Sequence, residues 1–472
     1  MSEENTLNQY PDTEEYDLVV LGSGAAGKLI SWTLGKKGMK IAVVERQYVG
    51  GACPNIACLP SKNIIHSAKV ANYVRQSESF GITKEKWQID MSAVRERKRR
   101  MVTDLVNIHH DLYKQSGVDL IMGEGQFVAP KTLSVKSSNG GVRILKGKRI
   151  VINTGTHAAI GTTPGLQDAN PLTHVEALEL NLVPEHFIIL GGGFVGIEFA
   201  QAMRRFGSKV TLIERNGSLI HREDDDISEE LYNVLSEEGV DIITSAHIVS
   251  VEGKSGQFVK INYMQKDMTK VIEGSHLMVA AGRIPNTSGI GLELAGIEVT
   301  RHGYIKVNDR LETTATDVWA AGECAGSPHF THISENDFHV VVDNILGGNK
   351  VTTGRQVPFC MFTDPELARI GLSEKEAQEQ GVAYRLAKIP FGAILRTRTL
   401  SETKGFMKAL VDTESDRILG FCAFGVEAGE LLAPVQVVMS AQLPYTILRD
   451  MIFSHPTMAE GLNSLFGSVP AR

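Results

Sequence analysis

The stretch YDLVVLGSGAAGKLISWTLGKKGMKIAVVER, residues 16–46, decides the fold. Leu18 to Leu21 is an unbroken apolar run, as a parallel strand buried on both faces requires. Gly22, Gly24 and Gly27 follow at GxGxxG spacing, then a helix-like stretch, then a second apolar run, Ile41 to Val44, closed by Glu45. The first glycine permits a tight turn, the second lets backbone approach a pyrophosphate, and the third lets helix and strand pack closely. Phosphates then rest on the unpaired N–H groups of the helix N-terminus. An acid at the end of the second strand accepts the ribose hydroxyls.

The plan recurs in FIILGGGFVGIEFAQAMRRFGSKVTLIER, residues 187–215. Gly191, Gly193 and Gly196 hold the same spacing, and Glu214 closes the second strand. The interval from first glycine to acid is 23 residues in both copies. One such motif is weak evidence, because an ordinary strand–helix turn can carry it. Two copies with matched acids predict two dinucleotide sites, and hence electron transfer from one cofactor to another.

Between them stands GGACPNIACLPSK, residues 50–62. Cys53 and Cys58, if helical, lie about one and a half turns apart, within reach of a distorted disulfide. A helix N-terminus and the nearby Lys62 would lower a thiol pKa and make the thiolate that exchange chemistry needs. Pro60 marks a break or kink. Half of a zinc site is the alternative, but no second Cys/His pair at zinc spacing is visible. Cys324, Cys360 and Cys422 are isolated and read as small core residues.

Near the end, IFSHPTMAEGLNSLF places His455 five residues before Glu460. A carboxylate that orients a histidine makes a general acid–base for a leaving sulfur. Alone, the pair reads as a surface or core histidine; with the cysteine pair upstream, the acid–base reading prevails.

The net charge of −7 gives no global pull toward nucleic acid or acidic membranes. Five cysteines in 472 residues make no disulfide framework. Residues 1–16 lack the basic and apolar blocks of a signal peptide, and no run of about 18 apolar residues occurs. A cytoplasmic protein without membrane or nucleic-acid partners is expected.

Together these residues resemble the class I pyridine nucleotide–disulfide oxidoreductases, the family of glutathione reductase, dihydrolipoamide dehydrogenase and mercuric reductase. The resemblance runs from Tyr16 to Phe466 and includes NTG at 153–155, AAGRIPN at 280–286, TTATDVWAAGECAG at 313–326 and HPTMAE at 455–460. It implies an α/β, glutathione-reductase-like chain with two Rossmann-like dinucleotide-binding domains and a mixed α/β C-terminal dimerisation domain. The layout would be a disordered tail at 1–15, an FAD domain at 16–155 and 282–348, an NAD(P) domain at 156–281 and an interface domain at 349–472.

The implied roles follow position by position. FAD and NADH or NADPH would be the cofactors. Cys58 would face the flavin and Cys53 would attack the substrate. Lys62 and Glu198 would pair beside the flavin's reactive nitrogen. Thr154, Gly155, Gly282, Arg283, Gly322 and Glu323 would line the flavin, with Arg283 near the junction with the NAD(P) domain. Phe194 would cover the nicotinamide pocket. His455 and Glu460 would come from the partner subunit, so that a homodimer shares its active sites. No metal is implied. Two departures stand out: Ala57 replaces a common glycine, which would tighten the redox helix, and Glu323 replaces a common aspartate, which would shift its flavin contact.

The tail from Phe391 to Phe466 resembles the mercuric-reductase-like bacterial branch, which includes reactive-chlorine-resistance flavoproteins. The second C-terminal cysteine pair of mercuric reductase is absent. The expected acceptor is a small-molecule disulfide or a metal ion. A dihydrolipoamide dehydrogenase is an alternative, and a redox-sensing flavoprotein is another, though a sensor needs no substrate acid–base. Glu214 favours a ribose diol and hence NADH, whereas Arg215 and Arg222 could take a 2′-phosphate.

Four other features have plainer readings. Arg95 to Arg100 reads as a solvated helix face, and His221 to Glu230 as a helix start with acids at the positive end of the dipole. Leu431 to Leu448 reads as an interface or core helix. His329 and His332 could shape a substrate mouth or hold a metal.

Overall fold

The computed structural model describes residues 12–472. In chain order the elements that position the site are β1 (Thr13–Leu21), α1 (Ala25–Gly35), β2 (Ile41–Glu45), α2 (Ala52–Asn55), α3 (Cys58–Arg75), α4 (Met91–Gln115), β3 (Asp119–Ala129), β4 (Thr132–Ser137), β5 (Val142–Ile152) and β6 (Thr156–Ala158). Next come β7 (His186–Leu190), α5 (Phe194–Phe206), β8 (Lys209–Ile213), α6 (Asp225–Glu237), β9 (Val240–Ile243), β10 (His247–Lys254), β11 (Phe258–Gln265), β12 (Met268–Gly274), β13 (His276–Val279) and β14 (Arg283–Pro285). The chain closes with β15 (Val318–Ala320), α7 (Thr331–Ile345), β16 (Phe359–Met361), β17 (Glu366–Gly371), β18 (Tyr384–Pro390), β19 (Phe406–Asp412), β20 (Ile418–Gly425), α8 (Ala428–Ser440) and α9 (Gly461–Gly467).

These elements divide into two compact units. The first holds the described residues up to Asn63, with Ala93–Ala159 and Gly282–Arg355; the second holds Ile64–Ser92, Ile160–Ala281 and Gln356–Arg472.

In the first unit, β1 pairs in parallel with β2 (Leu18↔Ile41) and β5 (Leu18↔Arg149), while β3 and β15 extend the parallel sheet. β4 pairs antiparallel with the far halves of β3 and β5. The two-residue period of a strand sorts the core. Leu18 and Val20 join Ile30, Leu34 and Val341 under the helices. Val19 and Leu21 join Phe127, Leu133 and Leu145 under the antiparallel strands. β1 begins at Thr13, so the tail ends earlier than position 15. The cause is pairing from Thr13↔Ile144 onward, with Glu14 clamped by Arg143 through two bonds of 2.7 Å. The rest of the expected tail, 1–11, lies outside the described residues.

In the second unit, β13, β7, β8 and β9 form a parallel sheet, β10 to β12 an antiparallel one, and β16-β17-β20-β19-β18 a five-stranded antiparallel sheet. α8 and α9 bury Leu431, Val435, Leu462 and Phe466 in the core of that last sheet. The apolar run 431–448 therefore covers core, and no helix among the described residues is long and apolar enough to cross a membrane. In the basic run, Arg97, Arg99 and Arg100 are exposed on α4 but Lys98 is buried. α6 starts inside the acidic run, with Asp225 and Asp226 in its first turn.

Lys408 on β19 is fully buried, and its Nζ lies 2.8, 2.8 and 2.7 Å from Asp224, Asp226 and Glu374. Those three acids are grouped as a cation site would be, and the lysine occupies it. Burial opposes ionisation of Asp224 and Asp226, but bonds from lysines outweigh it and hold both below their ordinary 3.8. Depressed carboxylates stabilise the fold above their unfolded pKa, and that contribution is lost as pH falls through the lowered values. Lys408→Met should cost about 3–5 kcal/mol in urea unfolding, because it removes the cation shared by Asp224 and Glu374 and leaves Asp226 only Lys388. An unchanged midpoint would contradict this.

Candidate active site

The head of α1 is shaped by Asn153. A side chain on Gly22 would meet the Asn153 carbonyl oxygen at 2.4 Å, and one on Gly24 would meet its Oδ1 at 2.4 Å. Asn153 accepts from the Gly27 N–H at 3.0 Å and donates to the Ala321 carbonyl at 2.6 Å. It thereby ties the glycine loop to the end of β15. α1 has Gly24 as its N-cap and no capping side chain. Glu45 accepts from Ser23 N and Oγ with one oxygen and from Gln47 and Tyr48 N–H with the other, at 2.7–3.0 Å.

The second unit repeats this arrangement. A side chain on Gly196 would meet Gly191 O at 2.0 Å, whereas the space beside Gly193, the N-cap of α5, is open. Glu214 accepts from Gly192 N–H at 2.6 Å and Asn216 N–H at 2.7 Å. Arg215 and Arg222 are exposed. An uncapped helix N-terminus with glycines clearing its approach fits a pyrophosphate, so both heads suit a dinucleotide.

The cysteines lie in two helices rather than one. α2 ends at Asn55, and Ile56, at φ −138° and ψ 5°, breaks the helix before Cys58 opens α3. Asn55 pins the loop by donating to Val49 and Gly51 carbonyls at 3.0 and 2.8 Å. Ala57 thus sits at the break, not within a tightened helix, and its carbonyl accepts from Ser61 N–H at 3.0 Å. Pro60 is no break; it sits in the first turn of α3, where its missing N–H costs nothing.

Placement at the start of α3 favours a thiolate at Cys58. Its sulfur lies 3.4 Å from Thr331 Oγ1. The hydrogen bond from Cys53 is the largest influence and, with Thr331 and the Lys62 charge, lowers the Cys58 thiol to about 6 against burial and the Glu323 charge. The same bond, with burial and the Cys58 charge, pushes Cys53 up. Cys324 and Cys422 are buried core residues and Cys360 is partly buried.

Glu323 does not stand alone. Its Oε2 accepts from Thr156 Oγ1 and lies 3.3 Å from Arg283 Nε, while Arg283 also donates to Thr156 Oγ1 at 2.6 Å and its carbonyl at 3.0 Å. The longer acid is anchored by Arg283 across the β6–β14 ladder. Gly322, at φ 74°, donates its N–H to Asp337, which is fully buried and also takes Ser327 and Arg355. Thr154 and Gly155 offer their carbonyls to Asn286.

In the second unit, Glu198 on α5 is buried and accepts from Phe362 N–H at 2.8 Å. Phe194 packs on Phe359 with centroids 5.3 Å apart. His455 Nδ1 lies 2.8 Å from Glu460 Oε2, the histidine exposed and the acid mostly covered. That bond leaves Nε2 as the nitrogen for proton transfer. In the first unit, His329 packs near Tyr304 and His332 stacks on Phe330, and neither joins a metal-binding group among the described residues.

Sequence reasoning missed Thr331, Asp337 and Arg355, whose contacts depend on α7 folding back onto the sheet. It also missed Lys28, although a lysine directly after the third glycine is a visible oddity in a helix that packs on a buried sheet.

The sequence profile described as pyridine nucleotide-disulphide oxidoreductase matches residues 16–337, and that family's dimerisation domain matches 357–466. RclA of Escherichia coli K12, described as a probable pyridine nucleotide-disulfide oxidoreductase, is 37% identical over 467 residues, covering 96% of this chain and 99% of its own. A mercuric reductase of Lysinibacillus sphaericus is 31% identical, covering 95% of this chain and 82% of its own. Among solved structures, the Cu(II) complex of the HOCl-induced flavoprotein disulfide reductase RclA from E. coli superposes with a TM-score of 0.87 at 34% identity, covering 96% of this chain and 99% of its own.

Proposed function

This chain belongs to the pyridine nucleotide–disulphide oxidoreductase family, and on that premise we propose that it passes electrons from NAD(P)H through FAD and a Cys53–Cys58 disulfide to a small-molecule disulfide or metal-ion acceptor. It is a flavoprotein oxidoreductase that uses FAD and NAD(P)H. Its dimerisation domain, 357–466, supports a homodimer. The observation that carries the acceptor chemistry is the sulfur pair itself, with Cys58 at a helix head and lowered by its bond from Cys53, which that same bond pushes up.

FAD, when bound, supplies the two-electron relay between NAD(P)H and the disulfide. The head of α1, with Gly22, Gly24, Gly27 and Glu45, would hold its pyrophosphate and ribose. Thr154, Gly155, Gly282, Arg283, Gly322 and Glu323 would line the flavin, and Lys62 and Glu198 would serve the same cofactor. The head of α5, with Gly191, Gly193, Gly196 and Glu214, holds the nicotinamide nucleotide. In domain terms, 16–155 and 282–348 carry FAD, 156–281 NAD(P), and 349–472 the dimer interface.

Two electrons and one proton break the sulfur–sulfur bond, leaving a Cys58 thiolate and a Cys53 thiol. His455, from the partner subunit and oriented by Glu460, takes the Cys53 proton as that sulfur attacks an acceptor disulfide. The attack forms a mixed disulfide and expels one thiolate, which His455 reprotonates. Cys58 then attacks Cys53, restoring their disulfide and releasing the second acceptor sulfur, which takes a proton from solvent. Metal ions, as alternative acceptors, would take the same two electrons from the reduced pair, one each by two Cu(II) ions or both by a single Hg(II), as the sulfur–sulfur bond re-forms and the Cys53 proton is released. The Cu(II) complex of the related RclA favours that branch, and the retained His455–Glu460 pair favours a dihydrolipoamide-type disulfide. Turnover of purified protein against lipoamide, oxidised glutathione, Hg(II) and Cu(II) separates them; no turnover with any acceptor would instead support a redox sensor.

NADH is the proposed donor, because Glu214 sits where a ribose diol would be read. Glu214→Ala should raise the KM for NADH on the order of tenfold and that for NADPH less, since a charge-assisted hydrogen bond is worth about 1.5–3 kcal/mol. The opposite order would reverse the cofactor assignment. A cytoplasmic location is proposed with this chemistry, because a cycling thiol pair suits a reducing compartment.

A further inference from the structure

Gly50 and Gly51 wedge the cysteine loop between two helices. Both have positive φ, 92° and 82°. A side chain on Gly51 would meet the Cα of Gly24, at the head of α1, at 2.6 Å, and one on Gly50 would meet His109 Nδ1, on α4, at 2.2 Å. Backbone this close brings Cys53, two residues on, over the first turns of α1.

Lys28 occupies that turn. Its Nζ lies 3.3 Å from His109 Nε2 and 3.5 Å from the Gly50 carbonyl, and 6.0 Å from the centre of the Trp32 ring. Burial depresses the lysine, while the charges of Cys53 and Glu335 pull it back. Glu335 is exposed on α7 and makes no ion pair with it among the described residues. His109 is buried and lowered to about 4, first by burial and then by the Lys28 charge, with His110 adding a little. It is therefore neutral near pH 7 and accepts from the lysine. An ammonium with no carboxylate ion-paired to it, held by a neutral imidazole and a carbonyl, keeps its charge available to Cys53, and each group's charge acts on the other.

We propose that Lys28, held by His109 and the Gly50 carbonyl, is a positioning cation that favours the thiolate of Cys53 in the reduced enzyme and so readies it for an acceptor disulfide or metal ion. The proposal rests on Cys53 being the exchange sulfur. The ammonium works against the Cys58 thiolate, which holds the proton on Cys53, and makes that proton easier for His455 to remove. It also offsets the negative charge when both sulfurs are ionised, and so favours the state a cationic metal acceptor requires.

The test is the pH profile of Cys53 alkylation by iodoacetamide in the FAD-loaded, NADH-reduced protein, with labelled cysteines resolved by peptide mass spectrometry. Lys28→Met should raise the Cys53 midpoint by about one unit, and so slow labelling at neutral pH on the order of tenfold. Lys28→Arg should restore both. An unmoved Cys53 midpoint in a Lys28→Met protein that retains its FAD would overturn the proposal. Lys28→Gln gives the same comparison if the methionine variant does not fold. Failure of the exchange assignment has a different signature: Cys53→Ser would then keep full acceptor turnover, whatever the Lys28 profile.

Discussion

Replacing Cys53 with serine should abolish disulfide reduction, a loss on the order of a thousandfold or more, while NADH still reduces the bound flavin. A serine hydroxyl is not ionised near neutral pH and cannot form the mixed disulfide. Cys58 alone cannot complete the cycle, because a mixed disulfide formed on it has no second cysteine to resolve it. Steady-state turnover with a disulfide acceptor and rapid-mixing absorbance of the flavin measure the two halves separately. Retained turnover would remove Cys53 from the exchange step. Loss of flavin reduction as well would mean that the substitution damaged the flavin site rather than the relay.

His455→Ala should slow disulfide acceptors by about a hundredfold to a thousandfold, within the usual range for a general acid–base. The bond of 2.8 Å to Glu460 fixes the ring and leaves Nε2 as the nitrogen for proton transfer. The bond to Cys58 and burial push the Cys53 thiol up, so something must remove its proton before attack and return it to the leaving sulfur. A quinone acceptor takes electrons without that proton transfer, and its turnover should change little. Equal slowing of both acceptors would count against the acid–base role. Glu460→Gln should give a smaller defect on the same disulfide acceptors, because it loosens the ring without removing it.

The two nucleotide-binding heads were legible in the sequence because their glycines answer hard contacts. Asn153 leaves no room beside Gly22 or Gly24, and Gly191 leaves none beside Gly196. Such constraints act locally and repeat at fixed spacing. The buried strands were legible for the same reason, since an apolar run such as Leu18–Leu21 serves both faces of one sheet. The cysteine pair was visible, but its division between α2 and α3 was not, because Asn55 ends the first helix by bonding to loop carbonyls. The departure at Glu323 was visible too, yet its partners lie on β6 and β14, far away in sequence. Thr331, His109 and Asp337 left no local signal, since each acts through contacts with residues distant in the sequence.

The central claim is that electrons from the nicotinamide come to rest on Cys53 and Cys58 before they leave the protein. Anaerobic titration of the FAD-loaded protein with a single equivalent of NADH, followed by alkylation and peptide mass spectrometry, tests it most directly. The account predicts that oxidised protein resists labelling at both positions and that the one equivalent opens both. Flavin reduction with Cys53 and Cys58 still protected, or with both already labelled before NADH is added, would contradict it.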